Sequence, residues 1–163
     1  MNKLYFGVIE HGGFDKLKVI KTDGFGAHIK EKPHCLHLYS YTQARKYFNS
    51  LYEDIGRYKR DYEKSFGVRY KFHSHLYTFS ANIDEIKGML HDRTISYDVD
   101  EPDIDDETYY RKYGIYTYYG VIPPFCVSVV DFDLNTNKFK TLKRLSEYDD
   151  FPMDIPSCFI RNY

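Results

Sequence analysis

The stretch from Thr42 to Phe66 constrains this chain more than any other. Ala44, Phe48, Leu51, Ile55, Tyr58 and Tyr62 recur at spacings of 4, 3, 4, 3 and 4 residues, which lays them along one stripe of an α-helix. Thr42 is a good N-cap type, and Gly67 can take the left-handed backbone that ends helices. The opposite face carries Arg45, Lys46, Glu53, Arg57, Lys59, Arg60 and Lys64, with Glu53 and Arg57 a favourable i,i+4 pair. A helix with one apolar stripe needs an apolar surface to lie on. The stripe covers only about three heptads and ends on Tyr rather than Leu, which argues for a sheet beneath it and against a coiled coil.

The rest of the chain supplies that sheet. Leu4 to Glu10 and Leu17 to Thr22 are apolar runs on either side of Gly12-Gly13 and read as a hairpin or wide-turn pair. Ala27 to Lys30 reads as a third short strand, broken by Pro33, which cannot donate to a ladder. Cys35 to Tyr39 reads as extended. Val68 to Phe79 alternates most cleanly: Val68, Tyr70, Phe72, Ser74 and Leu76 face one way, and Arg69, Lys71, His73, His75, Tyr77 and Phe79 the other. Asn82-Ile83-Asp84-Glu85 is a capping pattern that starts a short helix to about His91. Thr94 to Val99 reads as a modest strand. Asp105 or Asp106 caps a short helix through Tyr113, and Ile115 to Val121 is a Tyr-rich strand stopped at Pro123-Pro124. Phe125 to Leu134 is apolar on both faces for most of its length, as a central strand is. Lys138 to Leu145 follows the Asn135-Thr136-Asn137 turn. The tail after Glu147 reads as irregular, pinned by Phe151, Ile155 and Phe159. With no linker and no second core, the expected fold class is α+β. It is a single domain over 1–163, a mostly antiparallel sheet with the long helix at about 42–66 and one or two short helices packed on it.

A chain of 163 residues can bury a core without metal or disulfide staples. Its formal net charge of −1 sets up no global field that points to nucleic acid or membrane. The charge is unevenly placed: residues 98–107 hold seven acids and no base. Cys35, Cys126 and Cys158 are scattered and form no CxxC, which argues against a disulfide framework and a zinc knuckle. No apolar run of about 18 residues and no charged-then-apolar leader is present. The expectation is a cytoplasmic protein that does not enter membranes. The chain is rich in Tyr and Phe and has no Trp and only three Ala. Small accessory proteins of bacterial viruses often share this usage, which is an association rather than a physical argument.

Two candidate sites stand out. The first is a repeated phrase, His37-Leu38-Tyr39 and His75-Leu76-Tyr77. If strands 35–39 and 70–79 are neighbours, His37 and His75 share a face and can act as general base and general acid on a phosphodiester. Lys71, His73, Tyr39 and Tyr77, with Arg69, would then position phosphate. The hydroxyls of Ser40 and Thr78 fall one residue too far along to complete the His-x-Thr/Ser pattern of two-histidine phosphoesterases. His73-Ser74-His75 has a spacing that metals accept, but Lys71 and Arg69 would repel a cation, so no metal is expected. No GxxxxGK[ST], GxGxxG, GxSxG or HExxH motif is present, and no cofactor is expected.

The second is the acidic stretch with the tyrosines that follow it. Asp100, Glu101, Asp103, Asp105 and Asp106 precede Tyr109, Tyr110 and Tyr113, and Tyr116, Tyr118 and Tyr119 follow. Acids steer a partner of opposite charge, and tyrosines give large contact area at little entropic cost. The basic helix face with Arg69 and Lys71 gives nucleic acid weaker support. The leading expectation is a non-enzymatic binding protein, a viral accessory protein that inhibits or modulates a larger host protein through this surface. A metal-independent two-histidine phosphodiesterase or nuclease is the alternative. Oligomeric state is not legible from the sequence.

Overall fold

The structure is a computed structural model and describes residues 3–30, 35–71, 73–87, 106–149 and 154–160. Side chains of Cys35, Lys87, Asp106, Cys158, Phe159 and Ile160 are outside that description. The fold is α+β, built on one seven-stranded antiparallel sheet. Its strands are β1 (Lys3–His11), β2 (Cys35–Tyr39), β3 (Ser74–Asn82), β4 (Ile115–Tyr119), β5 (Ser128–Asp133), β6 (Lys138–Arg144) and β7 (Cys158–Ile160). The order across the sheet is β4-β2-β1-β3-β5-β6, and β7 pairs with the start of β3. The helices are α1 (Asp15–Asp23), α2 (Tyr41–Phe66), α3 (Ile83–Lys87) and α4 (Asp106–Tyr113). Among the described residues no helix is long and apolar enough to cross a membrane.

Alternation along β1 and β3 creates two cores. Leu4, Phe6 and Val8 join Tyr77, Phe79 and Ala81 in the larger core, which α1 closes with Leu17 and Ile20. Tyr5 and Leu76 point to the other face, where α2 covers them with Ala44, Phe48 and Ile55. The stripe seen in the sequence is therefore the buried face of α2. Ser40 caps this helix rather than Thr42: its hydroxyl accepts from the Gln43 N–H at 3.3 Å. Gly67 takes the left-handed C-cap, with φ at 66°. Beyond Ile55 the stripe continues in rings, Tyr58 stacking on His11 at 4.1 Å and Tyr62 meeting Tyr70 at 5.1 Å.

Several elements differ from the sequence expectation. The run after Gly12-Gly13 is helix α1, not the second strand of a hairpin. Phe14, Leu17 and Ile20 lie three apart and face the core, and Glu10 of β1 supplies the missing cap by accepting from the Leu17 N–H at 2.8 Å. Ala27 falls in a turn, where Phe25 bridges to Ile122. Val68 to Lys71 lies outside the sheet, so β3 starts at Ser74. The tail is not wholly irregular: β7 adds a short strand, and Ile155 is buried in the larger core. The expected strand at Thr94 to Val99, the helix beyond Lys87 and Phe151 lie outside the described residues. The central-strand reading of Phe125 to Leu134 matches β5, interior between β3 and β6. Ordinary alternation buries Val129 in one core and Val130 in the other, as a strand covered on both faces requires.

Candidate functional site

The repeated His-Leu-Tyr phrase does not converge. β1 lies between β2 and β3. Tyr5 pairs with Tyr39, which sets His37 level with Gly7, whereas His75 pairs with Glu10. Two strand spacings and three residues of rise separate the two histidines by about 14 Å. They also face opposite ways. Tyr39 packs on the α2 side, stacked on Tyr47 at 4.1 Å, and His37 shares that side. Tyr77 lies in the core on the other side, and His75 goes with it. The expectation that strands 35–39 and 70–79 are neighbours is corrected here, because β1 takes the place between them.

Lys71, His73 and His75 do come together. With Gly12, Gly13 and Phe14 they line a cleft of about 240 Å³. The Gly12 N–H donates to the His73 carbonyl at 2.8 Å, which ties this loop to the approach to β3. His75 Nδ1 lies 3.1 Å from the Ser157 hydroxyl, and its ring lies beside Tyr77 at 5.8 Å. Burial and the neighbouring His73 hold the His75 imidazole below its ordinary pKa. Burial first, then the carboxyl of Glu10, pushes the Tyr77 hydroxyl up to about 12. Both groups are neutral at pH 7. Among the described residues no cluster of three or more His, Cys, Asp or Glu is arranged to hold a metal ion.

The tyrosines gather at the other end of the sheet. Gly114, with φ at 71°, turns the chain from α4 into β4. Its carbonyl accepts from the Ser40 N–H at 2.8 Å, and its own N–H donates to the Tyr110 carbonyl at 2.7 Å. This one residue fixes α4 against the N-terminus of α2. A Cβ here would come within 2.6 Å of Gln43 Cγ and 2.8 Å of Ser40 Oγ, so the close approach requires glycine.

Within α4 the three expected partner-binding tyrosines divide. Tyr109 and Tyr113 lie one turn apart with ring centroids at 4.6 Å, both half-buried, while Glu107, Thr108, Arg111 and Lys112 are the exposed residues of the helix. Lys112 Nζ lies 5.1 Å from the Tyr113 ring centre, and Glu107 pairs with Arg111 at 2.8 Å. Tyr110 turns inward, against the larger core and 6.4 Å from the Tyr116 ring. Asp100, Glu101, Asp103 and Asp105 lie outside the described residues, and for Asp106 only the backbone is described, as the first residue of α4.

Tyr110 also borders a groove of about 460 Å³ with Lys3, Tyr5, Ser40, Tyr41 and Thr42. The sequence reading missed it, because its walls come from β1, α2 and α4, far apart in the chain. Tyr5 lies in it, 7% exposed, its ring stacked on Phe139 at 4.7 Å and edge-on to Tyr41 at 6.0 Å. Burial, with Tyr41 and Tyr110 nearby, holds the Tyr5 hydroxyl above its ordinary pKa, and burial does the same to Tyr110. Comparison with protein-family models, with curated proteins and with solved structures finds no match.

Proposed function

We propose that this chain is a non-enzymatic binding protein that engages a larger protein partner through the half-buried tyrosines of α4 and the acidic stretch that leads into it. The observation that carries this reading is the Tyr109–Tyr113 pair, two half-exposed rings in contact on a short helix whose backbone is fixed by Gly114 and Ser40. Rings already held in place lose little freedom on binding, and tyrosine is enriched where binding energy concentrates. Of the seven acids in 98–107, five precede this helix and Asp106 and Glu107 open it, and a partner of opposite charge would be steered to it. The virus-like composition makes inhibition or modulation of a host protein the form we assign to this binding.

The two-histidine phosphodiesterase loses its geometric premise, since His37 and His75 sit on opposite faces of the sheet with β1 between them.

The binding reading is tested by substitution. Tyr109→Ala with Tyr113→Ala is expected to weaken partner affinity at least about 30-fold, roughly 2 kcal/mol, as hot-spot residues do. Asp103→Lys with Asp105→Lys is expected to slow association and flatten its salt dependence. Unchanged affinity and unchanged association rate in both variants would remove this surface from the account.

A further inference from the structure

The cleft at the Gly12-Gly13 loop has the features of an anion site, and its case does not rest on the partner reading. Lys71, His73 and His75 stand at alternate positions, and all three line the cleft. Lys71 is exposed and pairs with no carboxylate among the described residues. The His75 imidazole is set before any ligand arrives. Its Nδ1 lies 3.1 Å from the Ser157 hydroxyl, and its ring lies between those of Phe14 at 5.9 Å and Tyr77 at 5.8 Å. A group already held in place loses little freedom on binding.

The facing wall is backbone. Gly12 takes a left-handed φ of 75°, and its N–H on the His73 carbonyl fixes the two walls against each other. The Gly13 and Phe14 N–H groups make no hydrogen bond among the described residues. A Cβ at Gly13 would meet no atom within 4 Å, so nothing covers the backbone there. Among the described residues no carboxylate lines the cleft. Glu10 and Asp15 are close in the chain, but the Glu10 carboxylate is turned to the Leu17 N–H. A volume of about 240 Å³ lies below the roughly 300–1,000 Å³ of sites for drug-sized ligands, so it suits one compact group.

We propose that this cleft binds the terminal phosphate of a phosphomonoester, with the ester group left outside. Lys71 and the imidazoles of His73 and His75 approach the phosphate from one wall, and the Gly13 and Phe14 N–H groups donate from the other. Donors on two walls suit the three free oxygens of a tetrahedral phosphate better than the two coplanar oxygens of a carboxylate. No bond is made or broken.

The test is calorimetric titration of the full chain with inorganic phosphate, phosphoserine and phenyl phosphate, beside dimethyl phosphate and acetate. Inorganic phosphate and both monoesters are expected to bind, and dimethyl phosphate and acetate about tenfold more weakly, since each offers only two free oxygens. Lys71→Gln and His73→Gln, both at exposed positions, are each expected to weaken phosphate about fivefold at an unchanged melting temperature. Lys18→Gln removes an exposed charge of α1 that does not line the cleft and is expected to leave affinity unchanged. No binding of phosphate or either monoester at about 10 mM would overturn the proposal. So would equal affinity for dimethyl phosphate, affinity untouched by both cleft substitutions, or a loss in Lys18→Gln as large as in Lys71→Gln.

Discussion

Glu10 shows how one buried side chain decides the path of the chain around it. It is 5% exposed, on the larger-core face of β1, and its carboxylate accepts from the Leu17 N–H. Burial holds its pKa above 4.5, against the lowering effect of that hydrogen bond and of Lys16. An acid raised in the fold binds more protons folded than unfolded, so between its unfolded and folded pKa stability falls as pH rises. Glu10→Gln keeps the acceptor and removes the charge. It is expected to be at least as stable as the parent at pH 7 and to lose that decline, as urea melts from pH 4 to 8 would show. Glu10→Ala loses the cap and is expected to cost about 1 kcal/mol. None of this was legible in Lys16-Leu17-Lys18-Val19-Ile20, whose near alternation imitates a strand. The cap that selects helix comes from another element. His37 and His75 teach the same lesson: alternation assigned each to a face of its own strand, but only the placement of β1 shows that these faces are opposite.

At the scale of elements, two joints hold the fold. One is the fork of Arg144 on Glu85, with contacts of 2.7 Å at both nitrogens, which ties β6 to α3. Arg144 also donates to the Phe125 carbonyl at 2.9 Å. Hydrogen bonds from Arg144, then Asn82, lower the Glu85 pKa from 4.5 to about 2. An acid depressed in the fold stabilises above its unfolded pKa, and that contribution is lost as pH falls from about 4.5 through about 2. The pair is about one-third exposed, so screening keeps its worth near 1 kcal/mol. Glu85→Gln is expected to lose that amount at pH 7 and to match the parent near pH 2, which denaturant melts at the two pH values would show. The other joint is Gly114. Gly114→Ala meets both a left-handed φ and the Gln43 and Ser40 side chains, and is expected to cost about 2 kcal/mol in a thermal melt. Of these elements, α2 was legible because its stripe and its Gly67 end are local signals, although its cap is Ser40, two residues before the expected Thr42. Glu85–Arg144 was not, since 59 residues separate the partners.

Across the whole molecule, the sheet separates two chemistries. His73, His75, Lys71 and the Gly12-Gly13 loop gather at one end. The tyrosines of α4, the start of α2 and the groove gather at the other. Repetition in the sequence drew attention to a histidine pair that the sheet order parts, whereas the density of tyrosine at 109–119 pointed to the end where α4 and the groove meet. The groove itself depends on Lys3 and Tyr5 meeting Tyr41, Thr42 and Tyr110, a long-range meeting that no local pattern records. The central claim is recognition of a protein partner through Tyr109 and Tyr113. Its most direct test is capture from a nuclease-treated bacterial lysate with the tagged chain, beside the same chain carrying Tyr109→Ala and Tyr113→Ala, with thermal melts of both. The account predicts one protein retained in stoichiometric amount by the parent and lost at least tenfold from a variant that melts at the same temperature. Equal retention by the two chains, or nothing retained by either, would contradict it.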